Sequence, residues 1–347
     1  MTEISAPRST EDLEAESVSD GGPPSDSTDF EARAARAASR GPKPTRVVAA
    51  RSSLGTRLVE LWKARELIAF LVRKEIKVKY KNSFLGFLWS MLNPALTLAV
   101  FYVLFTFFLP NGIPNFVIYM FSAMLVWNLF QTSILGATGA VVGNAGIVKK
   151  VAFPREVLAI ASVGSAVVFL VFQSVVMVGF MFAFWHRPDW SEIWLIPVAL
   201  VAVITFASAL AVFLSAVNVY LRDTQHLVEV LLMAWFWAVP GIYAFSGRVQ
   251  QGLVRHSLFG IPGTRLSWLY FANPVTPVVM TFQRFFYNLD HPISTVTHTP
   301  IPSGVLARYG TGWYVSSDLI VFGVSIVLLL GALTVFGRLE GNFAEEL

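Results

Sequence analysis

Residues 143–156 read Gly143-Asn-Ala-Gly-Ile-Val-Lys-Lys-Val-Ala-Phe-Pro-Arg-Glu156, a short charged segment between two long apolar runs. The pattern predicts two membrane-crossing helices joined by a loop, because an apolar run of roughly 20 residues spans a bilayer. Pro154 suits the first position of the second helix, and Glu156 then lies in a first turn whose dipole favours an anion. The simplest interpretation is a cytoplasmic loop whose positive charge fixes topology, and the alternative is a surface that binds a partner.

Composition places the whole chain in the membrane class. Of 347 residues, 55% are hydrophobic and only 14% are charged, and the mean hydropathy is +0.60. The hydrophobic share is above that of soluble domains and the charged share is below it, which predicts an all-α, multi-spanning membrane protein. The chain has no cysteine, which excludes disulfides, thiolate metal sites and a cysteine nucleophile.

Apolar segments of spanning length follow one another along the chain. Six are predicted as transmembrane helices: Phe84 to Leu109, Phe116 to Val142, Val157 to Trp185, Ile193 to Tyr220, His226 to Phe245 and Leu319 to Phe336. Asn93-Pro94 in the first and Pro240-Gly241 in the fifth predict kinks, because proline removes a backbone donor.

Two different segments precede the first span. Residues 1–57 are rich in Ser, Pro, Ala and Glu, and this composition predicts a disordered cytosolic tail. In residues 58–82, apolar residues recur at helical spacing with bases between them, which predicts an amphipathic helix in the membrane interface. Its bases are expected to contact anionic headgroups, and its candidate residues are Arg73, Lys74, Lys77, Lys79, Tyr80 and Lys81.

The distribution of Lys and Arg places both termini and the 143–156 loop in the cytosol. On the opposite side, Trp268 to Tyr287 is too apolar for an exposed loop and is interrupted by Pro274 and Pro277. We therefore predict a re-entrant external hairpin at residues 265–290, shielded by protein because broken backbone cannot face lipid. The alternative is a seventh span.

Catalytic and metal-binding patterns are absent from the sequence. The spans hold almost no ionisable residues, and His226, Glu229 and Asp318 lie close enough to span ends to reach headgroups. No His or carboxylate cluster has metal-ligand spacing. No lysine follows a glycine, so the chain has no phosphate-binding loop for ATP. If transport is driven, its energy must come through another polypeptide.

The order of the motifs resembles one known family. A basic helix (Arg73-Lys74-Glu75-Ile76-Lys77-Val78-Lys79-Tyr80-Lys81) is followed by Leu85-Gly86, by Trp89 to Pro94, by Lys149 to Glu156, by Asn218 to Asp223, by Asn273-Pro274 and by Arg338 to Glu346. Over residues 58–347 this succession is similar to the permease subunits of ABC type 2 exporters, especially those for lipid-linked polysaccharides such as O antigens, teichoic acids and galactan. The long acidic tail departs from the common pattern.

The resemblance implies a homodimer of six-span subunits in the cytoplasmic membrane, paired with two copies of a separate ATPase that binds ATP and Mg. This chain itself would hold no cofactor. The loop would carry a coupling helix at about 144–152 and, with the turn between spans four and five, would bind the ATPase through Asn144, Ile147, Val148, Lys149, Lys150, Phe153, Pro154, Arg155, Glu156, Arg222 and Asp223.

The resemblance also implies a channel along the dimer axis, lined mainly by the first and fifth spans. Aromatic rings stack on sugar faces, and the candidate channel aromatics are Trp89, Tyr102, Phe105, Trp235, Trp237 and Tyr243. For each ring the competing interpretation is lipid contact or helix packing. The expected cargo is an undecaprenyl-type lipid-linked glycan, with a mycobacterial-type galactan favoured. Membrane lipids are expected partners and nucleic acid is not.

Two other functions stay open at the level of sequence. One keeps the family and changes the cargo to a drug or small lipid. The other is an integral membrane glycosyltransferase or acyltransferase with an external active site, for which the nearby residues are Asp189, Glu192, Asp290, His291 and His298. These five residues show no motif spacing that defines a catalytic site.

Overall fold

The computed structural model describes residues 54–81, 83, 84, 86, 88–245, 270–288, 305–307 and 309–347. Within these ranges the regular elements are helices. They are α1 (Leu54–Lys63), α2 (Arg65–Tyr80), α3 (Leu88–Val103), α4 (Phe116–Gly143), α5 (Ala145–Val148), α6 (Glu156–Ala183), α7 (Leu195–Tyr220), α8 (Thr224–Trp237), α9 (Val275–Phe286), α10 (Thr311–Leu339) and α11 (Phe343–Glu346). A π-helix, Leu104–Phe108, continues α3, and short 3₁₀ turns cover Trp190–Glu192 and Glu340–Asn342.

Five of these helices are long and apolar enough to cross a membrane: α3 with its π-helical extension, α4, α6, α7 and α10 with its extension. An all-α multi-pass membrane architecture is therefore confirmed. The predicted fifth span, His226 to Phe245, differs. Its helix α8 has 14 residues and ends at Trp237, three residues before Pro240. At 1.5 Å per residue it is about 21 Å long, so the break ends the helix instead of kinking it, and the count of six spans stays a prediction.

The core is centred on α4, which contacts α6 along one side and α7 and α9 along others. In the most apolar window of α4, 83% of the residues are buried, against 11% in that of α3. Aromatic rings fill the centre: Phe130 stacks on Phe206 at 5.5 Å between centroids and meets the edge of Trp235 at 5.3 Å. In the described part of the chain, α4 is thus the helix that the others surround, and α3 is a peripheral one.

The predicted amphipathic helix at residues 58–82 consists of two helices, α1 and α2, separated at Ala64. α2 lies along the first half of α6, and the two approach closely at Gly164, where an added Cβ would meet Val72 Cγ2 at 2.8 Å. The Glu75 carboxylate accepts hydrogen bonds from the hydroxyls of Ser162 (3.1 Å) and Ser165 (2.6 Å). One face of α2 is therefore bound to protein, and its placement in the interface stays a prediction.

The described part of the predicted external hairpin contains α9, which is buried against α4 and α7. Protein therefore shields this broken apolar stretch. Residues 265–269, 289 and 290 of the predicted hairpin, and residues 1–53 of the predicted tail, lie outside the described residues.

Asp318 does not lie within reach of headgroups as the sequence predicts. It lies inside α10, its residue is fully buried, and its Oδ2 accepts a hydrogen bond from Thr281 Oγ1 at 2.8 Å. The helix begins at Thr311, eight residues before the predicted start of the span, so Asp318 is within the helix and packed against α9 instead of facing headgroups.

Candidate functional site

The loop between α4 and α6 presents its two lysines to the outside. A single helical turn, α5, begins after Asn144, and the N–H of Val151 still donates to the carbonyl of Ile147 at 2.9 Å. The helical hydrogen bonding thus extends close to the predicted 144–152. Lys149 and Lys150 are exposed and Ile147 is 40% exposed, whereas Val148 is buried in the core beneath them. The turn therefore has an outward basic face and an inward apolar anchor.

Asn144 fixes the start of this turn. Its Nδ2 donates to the carbonyl of Ala140 at 2.8 Å, and its Oδ1 accepts from Lys74 Nζ at 3.0 Å. Two predicted site residues from separate segments, Asn144 and Lys74, are thus brought together. The contact ties α2 to the loop.

Glu156 lies in the first turn of α6, as the sequence predicts, but it is buried and not exposed with the lysines of the loop. It is 2% exposed and forms an ion pair with Arg57 of α1, which also pairs with Glu340 after the last span. The Glu156 carboxylate is therefore engaged inside the chain and is not exposed beside Lys149 and Lys150. Helix α6 begins at Glu156 itself, so Pro154 precedes the helix by two residues and does not occupy its first position.

The ion pairs around Arg57 join three distant parts of the chain. Burial of the guanidinium lowers its pKa, and the charges of Glu156 and Glu340 more than offset this, so that the net pKa is raised. Arg57 lies directly over Gly337, where any Cβ would collide with the guanidinium. We call Arg57, Glu156 and Glu340 the ion cluster. It holds α1, the start of α6 and the end of α10 together.

Arg155 also contacts the carboxyl-terminal segment and not only the surface. Its Nη1 donates to the carbonyl of Glu340, and its guanidinium lies 5.8 Å from the ring of Phe343. Tyr220 joins the same corner, because its hydroxyl donates to the carbonyl of Leu339 at 2.7 Å. Arg222 and Asp223 follow as an exposed turn before α8. A groove of about 550 Å³ lies beside the loop and is lined by Arg57, Glu60, Lys63, Ala64, Phe153, Pro154, Glu156 and Glu340.

A larger groove of about 950 Å³ runs between α3, α4, α6 and α8 and reaches the end of α2. Its lining combines aromatic rings with amide and hydroxyl groups, and its charged members are Lys79 and Glu229. The residues are Lys79, Tyr80, Trp89, Ser90, Asn93, Pro94, Thr97, Phe101, Met124, Trp127, Asn128, Gln131, Thr132, Leu135, Phe169, Gln173, Glu229, Leu232, Met233, Phe236 and Trp237. We call it the membrane groove.

Amide groups in the membrane groove are held in place by hydrogen bonds. Asn128 Nδ2 donates to Gln173 Oε1 at 3.1 Å, and Trp127 Nε1 donates to Gln131 Oε1 at 2.9 Å. The Trp127 ring packs against Phe236 at 5.5 Å. Rings beside fixed amides offer stacking surfaces and hydrogen-bonding groups together, which is the chemistry that a sugar requires.

The six predicted channel aromatics separate into three groups. Trp89 and Trp237 line the membrane groove, and they are 47% and 55% exposed. Tyr102 and Phe105 line a separate pocket of about 410 Å³ with Asn111 and Asn115.

The last two candidate aromatics are engaged by other parts of the chain. Trp235 packs on Phe130 and donates from Nε1 to Asn273 Oδ1 at 3.0 Å, so it belongs to the core. The Tyr243 hydroxyl donates to the carbonyl of Trp237 at 3.0 Å. Neither ring lines the membrane groove, because α8 rotates Trp235 inward and ends before Tyr243.

Several residues of the ion cluster and of the membrane groove are not predicted by the sequence. Arg57 lies before the predicted helix and looks like one base among many, and the apolar residues of α1 give no sign of its burial, since Leu58, Val59 and Trp62 are themselves exposed. The groove residues Trp127, Asn128, Gln131 and Gln173 lie in predicted spans, where isolated amides are the detectable signal. Their convergence depends on how α4 packs on α6.

Comparison with known proteins shows the family of the chain. Residues 66–248 match the family model described as ABC-2 type transporter, which is more than half of the chain. The chain belongs to the ABC-2 type transporter family. It is 33% identical over 288 residues to the O-antigen export system permease protein RfbA of Myxococcus xanthus, which covers 83% of this chain and 98% of the relative. It is 26% identical to RfbA of Klebsiella pneumoniae over 282 residues, or 81% and 95% of the two chains.

Membership gives the chain its general role. It is a multi-pass membrane protein and a permease component of an ABC transporter, and not an enzyme. The family match begins at the second residue of α2 and continues past the end of α8, and therefore includes the exposed loop and every lining residue of the membrane groove.

Proposed function

We propose that this permease exports a polysaccharide across the cytoplasmic membrane, driven by ATP hydrolysis in a separate ATPase. The observation that carries the proposal is the membrane groove, which combines Trp89, Trp127 and Trp237 with the fixed amides of Asn128 and Gln173. Such a lining suits sugars, which stack on rings and hydrogen-bond through their hydroxyls. The similar permeases from Myxococcus xanthus and Klebsiella pneumoniae are named for O-antigen export, which supports the same class of cargo.

The proposal includes a homodimer. α3 and α8 border the groove and expose apolar side chains, among them Leu96 (51%), Val100 (67%), Val230 (64%) and Met233 (66%). A second copy that covers these faces would convert two grooves into one enclosed path. The argument for a copy and not for lipid alone is that the groove is polar inside, and a polar lining left open to hydrocarbon is costly.

The ATPase is proposed to bind at the loop between α4 and α6, where Lys149, Lys150 and Ile147 are exposed above buried Val148. Arg222 and Asp223 would form a second contact. ATP and Mg would bind to the ATPase, and both termini of this chain would lie in the cytosol with it. The ion cluster gives force at the loop a direct route into α6 and α10, because it links their ends.

For the cargo, we propose a lipid-linked glycan of the undecaprenyl type. The groove also borders exposed apolar residues at the start of α3, Trp89 and Leu92, along which the lipid part can lie. A mycobacterial-type galactan is the specific glycan to test first.

The decisive experiment co-expresses the permease with the ATPase of a neighbouring gene and reconstitutes the complex in proteoliposomes. ATP should bring a labelled lipid-linked glycan to a position where an added glycan-binding protein detects it outside. The control is a complex that carries a hydrolysis-deficient ATPase. ATP-driven movement of drugs or small lipids without movement of glycans would contradict the proposal.

The docking assignment has its own test. Lys149→Glu with Lys150→Glu and Phe153→Ala should abolish recovery of the ATPase with the permease, because charge and shape at the loop both change. Lys81→Glu, an exposed base away from the loop, should leave recovery unchanged. If the triple variant assembled and exported like the wild type, the ATPase would have to bind elsewhere.

A further inference from the structure

One end of the membrane groove holds a small cluster around Phe169. Lys79 Nζ lies 4.1 Å from the centroid of the Phe169 ring, and the Tyr80 ring meets Phe169 edge-on at 6.1 Å. Phe169 is midway along α6, about 20 Å from Glu156 at 1.5 Å per residue. The cation therefore lies beside the middle of a spanning helix and not beside its end.

Both polar groups of this cluster lack a hydrogen-bonded or ion-paired partner in the described part of the chain. The Tyr80 hydroxyl is buried and forms no hydrogen bond there. Lys79 makes no ion pair within the same residues, although Glu75 precedes it by one helical turn. The Glu75 carboxylate is occupied by the hydroxyls of Ser162 and Ser165. Lys79 is exposed to the groove and interacts with Glu75 electrostatically, but it forms no direct ion pair with it. A buried donor without a partner beside such a cation can accept an anion.

We propose that Lys79 and Tyr80 bind the phosphate group of a membrane lipid whose polar part enters the groove. An ammonium and a hydroxyl are both donors to phosphate oxygens, and charge-assisted hydrogen bonds of this kind are strong. The remaining charged lining residue, Glu229, lies on α8 and is 3.6 Å from His226 in an exposed pair. The inference rests on the proposed function, because it takes the membrane groove as the path of the cargo.

The position of the cluster explains why the phosphate belongs to a lipid. The groove is bordered by the start of α3, where Trp89 and Leu92 are exposed and are not among the residues proposed for the dimer contact. A hydrocarbon chain can lie on this part of α3 while its phosphate reaches Lys79. The phosphate can come from the carrier lipid of the glycan or from an ordinary phospholipid, and the two sources are separable by competition.

The test uses the full permease–ATPase complex in nanodiscs of neutral phosphatidylcholine. The probe is a fluorescent short-chain polyprenyl diphosphate that carries a disaccharide, and the measurement is its dissociation constant. Lys79→Met should weaken binding about tenfold or more, as expected for a charge-assisted contact. Tyr80→Phe should weaken it about two- to tenfold. Lys79→Arg should restore most of the affinity.

Arg65→Met is the matched control, because Arg65 is an exposed base on the same helix and does not line the groove. It should leave the dissociation constant unchanged. An equal loss in Arg65→Met and Lys79→Met would show a general attraction of basic helices for anionic lipid and would overturn the proposal. Unchanged binding in both Lys79→Met and Tyr80→Phe would overturn it as well.

Competition identifies the source of the phosphate. If unlabelled polyprenyl diphosphate displaces the probe and phosphatidylglycerol does not, the site binds the carrier lipid. Displacement by both supports a phosphate site that also accepts phospholipids, and displacement by inorganic pyrophosphate alone would contradict a lipid ligand. Glycan export by the wild type is measured separately. If the wild type exports glycan but probe binding does not depend on Lys79, this inference is wrong and the proposed function is unaffected.

Discussion

Two regions along helix α6 behave as opposites. Its start is locked, because buried Glu156 pairs with Arg57, which also binds Glu340. Its middle borders a groove of about 950 Å³, which Phe169 and Gln173 help to line although both are largely buried. The same helix is thus anchored by the ion cluster where force is proposed to enter, and it borders the membrane groove where cargo is proposed to pass. Substitutions at the start should therefore affect folding, and substitutions at the middle should affect transport.

The largest effect is expected at the ion cluster. Arg57→Met leaves Glu156 unpaired in a buried position and should destabilise the fold by about 3–5 kcal/mol, the usual cost of breaking a buried pair. The measurement is thermal unfolding of the detergent-solubilised protein. Arg65→Met, an exposed base on α2, should change stability little.

A rescue variant separates lost charge from lost packing at the ion cluster. Adding Glu156→Gln and Glu340→Gln to Arg57→Met removes the unpaired charges and should recover part of the stability. Equal thermal midpoints for Arg57→Met and Arg65→Met would mean that the start of α6 is not locked by these ion pairs.

A smaller effect is expected where α2 meets α6. Gly164→Ala places a Cβ against Val72 Cγ2 at 2.8 Å and should cost about 1–3 kcal/mol through overpacking. Gly179→Ala is the control on the same helix, since nothing lies within 4 Å of its added Cβ. That change should be neutral or slightly stabilising, because alanine favours helix more than glycine does. The reverse order of stabilities would refute the close packing of α2 on α6.

In the membrane groove, substitutions should reduce transport without reducing the stability of the fold. Asn128→Leu with Gln173→Leu removes both partners of one hydrogen bond, which is close to neutral for folding. Glycan export should nevertheless fall about tenfold, as expected from losing one or two sugar contacts of about 1 kcal/mol each. Export is measured in proteoliposomes beside the thermal midpoint. Ser174→Ala, whose hydroxyl donates to the Leu170 carbonyl, serves as the control.

Parallel losses of stability and export in the leucine pair would show that these amides support the fold and not the cargo. The same outcome in Ser174→Ala would point to a general sensitivity of α6. Export unchanged in the leucine pair would place the path outside the membrane groove.

The smallest effect concerns the far end of α6, near His186. Its Nε2 is 2.9 Å from the Phe286 carbonyl and its Nδ1 is 3.4 Å from Asn115 Nδ2. Burial lowers the pKa of His186, and the backbone carbonyls of Phe286 and Tyr287 oppose this more weakly. The pKa of His186 in the folded protein therefore lies below the unfolded value of about 6.5, so protonation of His186 favours the unfolded state. The stability of this region is fully present above about pH 6.5 and is lost as the pH falls through the lowered pKa of the folded state.

Hydrogen exchange in residues 275–288 measures this pH dependence, after correction for the intrinsic exchange rate. Protection should decrease between pH 7.5 and 5.5 in the wild type. His186→Gln should abolish the decrease, and His226→Gln, at an exposed histidine, should retain it. A decrease that persisted in His186→Gln would assign it to another group.

The sequence by itself determined the membrane class, the positions of four spans to within a few residues and the exposed basic loop. The length of an apolar run and the distribution of Lys and Arg are local properties, so they can be read directly from the sequence. For α4, for example, the predicted Phe116 to Val142 differs from the observed Phe116–Gly143 by one residue. The same local rules found Lys149 and Lys150, because exposed charge needs no partner.

Only the tertiary structure decided which polar residues meet. Arg57 and Glu340 are 283 residues apart, and nothing in either segment specifies the other. Trp235 and Trp237 look alike in sequence, yet the packing of α8 on α4 directs the first into the core and leaves the second at the groove. Burial in an apolar chain is set by neighbouring helices and not by hydropathy. For this reason the sequence located the loop, whereas the structure located the ion cluster and the membrane groove.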